Sequence, residues 1–170
     1  MKIIERATIY TFQRHDWKNV LLCRTKFHIL LVMDSKSKKL KKYELTEDSY
    51  WVASEAPSVY ARTFFDLVDI SDLNKKLIAE EFMNINIKTI KRYLKDNKPL
   101  SAMGGELVLK LIGLYRKGLE VFSTTDHFNT WLSKPAFGMG GAIPIHFLKT
   151  STGIDLVKEE LMRMEYGATA

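Results

Sequence analysis

The chain has 170 residues, 46% of them hydrophobic, enough for a sizeable buried core, and a net charge of +6. Its longest apolar run, Ile29 to Met33, falls far short of the ~18 residues of a membrane span, and the N-terminus lacks a secretory leader pattern. A lone Cys23 and four scattered histidines exclude a disulfide framework and metal-ligand spacing, so the plain reading is a cytoplasmic protein with no cofactor or metal of its own.

Residues 1–44 hold eleven Lys/Arg against four Asp/Glu, while the remainder is nearly balanced. The basic character therefore belongs to an N-terminal arm and does not by itself identify a nucleic-acid-binding body. Within the arm, "KFHILLVM" reads as a short strand, and "SKSKKLKKYE" (35–44) reads as a solvated lysine linker. Met33 directly precedes that run. Residues 1–32 thus read either as a loosely attached appendage or as an upstream extension of a chain starting at Met33. Residues 1–54 are set apart on these grounds as a basic arm, either short β structure or disordered.

From about residue 55 the apolar spacing becomes helical. "SVYARTFFDLV" spaces Val59, Phe64, Leu67 and Val68, and "SDLNKKLIAEEFMNI" puts Leu73, Leu77, Ile78 and Phe82 on one face behind a Ser71 cap. "NIKTIKRYLKDN" stripes Ile87, Ile90 and Leu94. "SAMGGELVLKLIGLYRKGLEVF" is a long amphipathic stretch weakened by glycines. "STTDHFNTWL" opens with a capping-box spacing, Ser123 to Asp126, and stripes Phe128, Trp131 and Leu132. The last segment stripes Ile154, Val157, Leu161 and Met164, with Thr152 and Asp155 at the same capping spacing. Little of this alternates like a strand, so the body is expected to be all-α.

Two adjacent helices carry chemistry. In "LIAEEFMNINIKTIKRYLK" (77–95) a break at Asn84-Ile85-Asn86 separates two helical stretches. Asn84 suits the left-handed corner of a helix-turn-helix, Asn86 suits the cap of the second helix, and Ile85 and Ile90 fill the angle between them. Asn86, Lys88, Thr89, Lys91, Arg92 and Lys95 then form a polar, basic surface with no acid among its members, suited to phosphates and base edges. The competing explanation is a solvated basic helix. Against a tight crossing, the position four residues before the turn holds Glu80, with the small Ala79 one register early.

"PAFGMGGAIPIHF" (135–147) raises the question of a phosphate cradle. No strand precedes its glycines and no Gly-Lys-Ser/Thr follows them, so a nucleotide loop is not supported. Instead a helix ends near Ser133, Pro135 stops it, and Pro144 opens the next helical turn, leaving the glycines as positive-φ corners and points of close approach.

The order "F-x-x-W-L-x-x-P" (128–135), "G-G-x-x-P" (140–144), "F-L-K-T" (147–150), Gly153 and "M-E-Y-G" (164–167) resembles the C-terminal toxin-binding domain of Xre/MbcA/ParS-family antitoxins. With the upstream helix-turn-helix, the chain is similar over about residues 57–170 to antitoxins paired with RES-domain toxins. The resemblance implies a non-enzyme that neutralises a NAD-consuming RES toxin by covering its active-site cleft. It also implies a homodimer that binds operator DNA and represses its own operon. It implies an Xre-like helix-turn-helix and dimerisation domain over 55–114 and a helical toxin-binding domain over 115–170. Met164, Glu165, Tyr166 and Gly167, with the adjacent Arg163, are the residues expected to approach the toxin. Trp131, Leu132, Pro135, Gly140, Gly141 and Pro144 match scaffold positions. Two other readings stand beside this one: a stand-alone helix-turn-helix transcriptional regulator without a toxin partner, and an enzyme built on the glycine loop. The second of these has no convergent acid, base and nucleophile near the loop.

Overall fold

A computed structural model describes residues 36, 38–43 and 58–167, all within the unit spanning Lys36–Ala170. The strand expected at "KFHILLVM" and the rest of the arm before residue 36 lie outside the described residues. The described part is all-α. Helices α1 (Ala61–Ser71), α2 (Ile87–Lys95), α3 (Ala102–Phe122), α4 (Thr125–Leu132) and α5 (Ser151–Glu165) are joined by a one-turn π-helix at Leu77–Phe82 and two 3-10 segments, Phe137–Met139 and Pro144–Lys149. The nearest approach to β structure among the described residues is an isolated antiparallel bridge between Tyr60 and Pro99.

Helix α3 is the spine, and α1, α4 and α5 all pack on it. Its interior face, Leu107, Val108, Leu111, Ile112, Leu114 and Tyr115, is wholly or nearly buried. Four glycines lie within this helix, yet it runs unbroken for 21 residues. The 0.8–1 kcal/mol that each glycine forfeits relative to alanine, roughly, is offset where it lets another element close in. At Gly118 that element is Phe128 of α4: a β-carbon there would lie 2.5 Å from the ring. The ring joins an aromatic cluster, edge-on to Tyr115 with centroids 5.1 Å apart and stacked on Phe122 and Trp131 at 5.8 and 6.0 Å.

A buried polar chain fixes the same corner. The Tyr115 hydroxyl donates to Asn129 Oδ1 at 2.7 Å, and Asn129 Nδ2 donates to the Ser71 carbonyl at 2.8 Å. Asn129 thereby satisfies a carbonyl at the C-terminus of α1 that has no partner within its own helix. Burial, and secondarily the charge of Asp72, holds the Tyr115 phenol above its ordinary range and keeps it a neutral donor.

Helices α3 and α5 run in the same direction. Ser151 Oγ donates to Glu106, Lys110 pairs with Asp155, and Lys117 pairs with Glu165, each at 2.6 Å, so partners advance together along both helices. Such exposed pairs fix register more than they stabilise. Burial of Ile154, Val157 and Leu161 supplies the adhesion, as the sequence stripe predicts.

Several local expectations need correction. Ser71 does not cap the segment after it: it is the buried last residue of α1, and Asn74 Oδ1 accepts the Lys76 N–H instead. Caps at Ser123 and Thr152 are likewise displaced. Ser123 is the left-handed C-cap of α3, and Thr124 and Thr150 accept from the His127 and Gly153 N–H groups. Leu94 leaves the buried stripe and is 44% exposed, because α2 is short and touches its neighbours mainly through Ile87 and Ile90.

The Glu80 conflict disappears through the π-helix. The Met83 N–H donates to the Ile78 carbonyl, five residues back, and this wider turn rotates Ala79 fully into the interior and Glu80 out to solvent. The lysine run is also not a linker throughout. Residues 38–41 form a helical turn, and Lys36, Lys39 and Lys42 pair with Asp72, Asp69 and Asp66 along α1. Tyr43 donates to Asp66 at 2.6 Å, and Leu40 and Tyr43 pack on the core.

Two glycines of α3 should therefore respond oppositely to the same change. Gly118→Ala should destabilise the fold by about 1–3 kcal/mol through overpacking against Phe128. Gly113→Ala, whose new methyl would meet nothing within 4 Å, should stabilise it by about 0.5–1 kcal/mol. Urea unfolding of the two variants measures both signs.

Candidate functional site

The two groups of residues singled out in the sequence occupy two different surfaces. The first is the exposed side of α2. Asn84 holds the left-handed corner at φ 51°, and Asn86 accepts the Lys88 N–H at 2.8 Å, both as expected. The Asn86 oxygen is thus spent on the cap, leaving its amide protons for an outside acceptor. Lys88, Lys91, Arg92 and Lys95 are exposed, Thr89 is half-buried, and no acid falls between Ile87 and Lys95. Arg92 lies 5.9 Å from the centroid of its neighbour Tyr93. The surface is a short amphipathic helix whose apolar side is Ile87 and Ile90 and whose remaining faces carry fixed positive charge.

The second surface is the end of α5. Its last turn closes with the Tyr166 N–H donating to Met162 and the Gly167 N–H donating to Met164, after which Gly167 turns the chain at φ 72°. Tyr166 does not fold back on its own domain: it is 83% exposed. Met164 is half-buried against the core.

Arg163 and Glu165 are both already engaged. Arg163 donates through Nε and Nη2 to Glu160 Oε2, each at 2.8 Å. Glu165 accepts from Lys117 at 2.6 Å, and this bond is the main cause that raises the Lys117 pKa, opposed by desolvation and aided by the Glu120 bond at 3.1 Å. Of the five residues at this end, Tyr166 and Gly167 are thus the pair offered to a partner without first breaking a contact within the chain.

Four participants escape a reading of the motifs. Glu160 is 5% exposed, and the α-carbon of Gly138 abuts its carboxylate so closely that a β-carbon would fall 1.9 Å from Oε1. Gly138 does not have a positive φ, unlike Gly140 and Gly141, so its role is this contact and not a turn. The signal available in the sequence was one glycine more than the turn requires. Phe137, beside it, is 84% exposed, and Lys117 could be assigned only once α3 and α5 were known to lie parallel.

Among the described residues no cluster of His, Cys, Asp or Glu has the arrangement of a metal site, and no helix is long and apolar enough to cross a membrane. The α5 end gathers an exposed aromatic, a turned terminus and an ion pair whose carboxylate, Glu160, is buried.

Part of the chain is similar to known proteins. Residues 117–167, from late in α3 to Gly167, match the family model of the antitoxin Xre/MbcA/ParS C-terminal toxin-binding domain. The Prs ADP-ribosylating antitoxin of Sphingobium sp. (strain YBL2) is 32% identical over 97 residues, an alignment covering 52% of this chain and 61% of that relative's length. Over these segments the chain is similar to antitoxins of the Xre/MbcA/ParS family.

The ion pair beneath the α5 end separates structural from presented residues. Arg163→Ala should lower stability by about 1–3 kcal/mol, since it leaves the buried Glu160 carboxylate without its charged donor. Tyr166→Ala should change stability by less than about 0.5 kcal/mol, as expected of an exposed side chain. Chemical denaturation of each variant distinguishes the two.

Proposed function

We propose that this protein neutralises a RES-domain toxin by laying the end of α5 over the toxin's NAD-consuming cleft, and that it represses its own operon through the basic face of α2. Tyr166 and Gly167 lead the contact, with Met164 behind them and Arg163 and Glu165 fixing the last turn. The observation that carries the first half is the 83% exposure of Tyr166 at the end of a rigidly docked helix, inside the segment that matches a toxin-binding domain. An exposed aromatic on an ordered frame loses little freedom on docking, which is what a binding anchor needs. The name of the Sphingobium relative supports an ADP-ribosylation setting, and ADP-ribosyl transfer consumes NAD.

On this reading the protein acts by binding in the cytoplasm and is not itself an enzyme. DNA contact is supported by the capped Asn86 turn and the exposed Lys88, Lys91, Arg92 and Lys95. Two copies would read a two-fold operator. Resolution of the Glu80 conflict by the π-helix removes the steric objection to that surface.

Co-expression with a RES-domain toxin encoded beside it should restore growth and yield a stable complex without NAD consumption. Tyr166→Ala, or truncation after Met164, should release toxicity while the body stays folded. A toxin left free by the intact chain rejects the antitoxin role in favour of a lone regulator.

For the second half, Lys91→Ala and Arg92→Ala should weaken operator binding. Each should reduce the dependence of log affinity on log salt by about one unit, as expected for loss of a phosphate contact. Unchanged slopes in a filter-binding titration would place the DNA surface elsewhere.

A further inference from the structure

Phe137 is the most exposed large hydrophobic residue of those described, at 84%, yet it does not hang on a loose loop. Its predecessor Ala136 is buried, and the Ala136 N–H donates to Ala142 at 3.0 Å while the Gly141 N–H donates back to Ala136 at 3.0 Å. The Gly140 N–H donates to the Phe137 carbonyl, also at 3.0 Å. Its successor Gly138 is seated on the Glu160 carboxylate, which Arg163 holds in turn. A turn with this many constraints keeps a phenyl ring in water at a set position, where nothing in its own fold requires it.

The Gly138–Glu160 contact ties that position to α5. Glu160 is six residues before Tyr166, about 9 Å along the helix axis at 1.5 Å per residue. The two most exposed aromatics of the matched domain are thus carried by one braced unit, with Arg163 and Met164 between them along α5. Interfaces concentrate their binding energy in such pre-placed aromatics, and two on one frame lose less entropy than two on independent segments.

We propose that Phe137 is a second anchor for the toxin, inserting into an apolar pocket on the toxin surface beside the cleft that the α5 end covers. The inference rests on the antitoxin reading above and adds to it a contact outside the terminal residues. Phe137 lies within the segment matched to the toxin-binding domain, and its frame is continuous with the surface bearing Tyr166. Gly138 and Glu160 act as positioning residues, holding the ring without touching the partner.

The test is the affinity of the purified full chain for the RES-domain toxin encoded beside it, measured by calorimetry, with sedimentation of the chain alone and its thermal unfolding as controls. Phe137→Ala should weaken the complex at least tenfold with unfolding unchanged, and Phe137→Leu should recover part of the loss. Gly138→Ala should weaken binding too, by displacing the turn from Glu160. Binding by Phe137→Ala within twofold of the intact chain overturns the second anchor while the antitoxin reading stands. Loss of self-association with toxin affinity intact overturns it as well, and gives the ring to a second copy of this chain. No binding by the intact chain overturns both readings together.

Discussion

The contact between Phe128 and the bare backbone at Gly118 is the constraint from which the C-terminal half of this fold follows. It brings α4 onto α3 closely enough for Tyr115 to reach Asn129, and Asn129 in turn to reach the last turn of α1. Three helices meet at one residue. The apolar and polar parts of the corner depend on each other: the amide bonds have their lengths only while the ring is seated, and the ring is shielded only while α4 is held. Helix α5 is laid along the same spine, from the level of Glu106 to that of Lys117, where its last turn comes to the surface.

Two kinds of specification act at that surface. The apolar stripe of α5 fixes where the helix lies, while the polar groups fix how it ends. Lys117 captures Glu165 and Glu160 captures Arg163, so the final turn keeps its shape before any partner arrives. Charges that a motif alone would assign to recognition are therefore partly spent on preorganisation. The basic face of α2 has the opposite design, with cations turned outward and a cap that consumes only the Asn86 oxygen.

What could be read from the sequence divides along physical lines. The corner at Asn84 and the cap at Asn86 were legible because both depend on residues within two positions of each other. The stripes of α1 and α5 were legible because burial imposes its period on the chain. Caps at Thr124 and Thr150 were missed by one or two residues because Ser and Thr cluster there and the competing hydroxyls are equivalent until the backbone chooses. An α-helical count puts Glu80 at the crossing, since it cannot anticipate the π-turn that brings Ala79 inward. The lysine run reads as a linker because its partners, Asp66, Asp69 and Asp72, lie 24 to 36 residues away in the chain. The buried Glu160 and the ion pair from Lys117 belong to this last class: no local pattern marks a contact made by parallel packing.

That parallel packing has a topological cost. Two helices pointing the same way cannot be joined by a tight reversal, so from Phe122 the polypeptide must travel back to the level of Glu106, where Ser151 begins the next ascent. Sixteen residues of helix separate those levels, roughly 24 Å, and the return path has to cross the outside of the molecule. Part of that path serves the core, since Phe128, Leu132 and Leu148 are buried along it, but the detour also creates surface that the core does not need, and Phe137 sits on it.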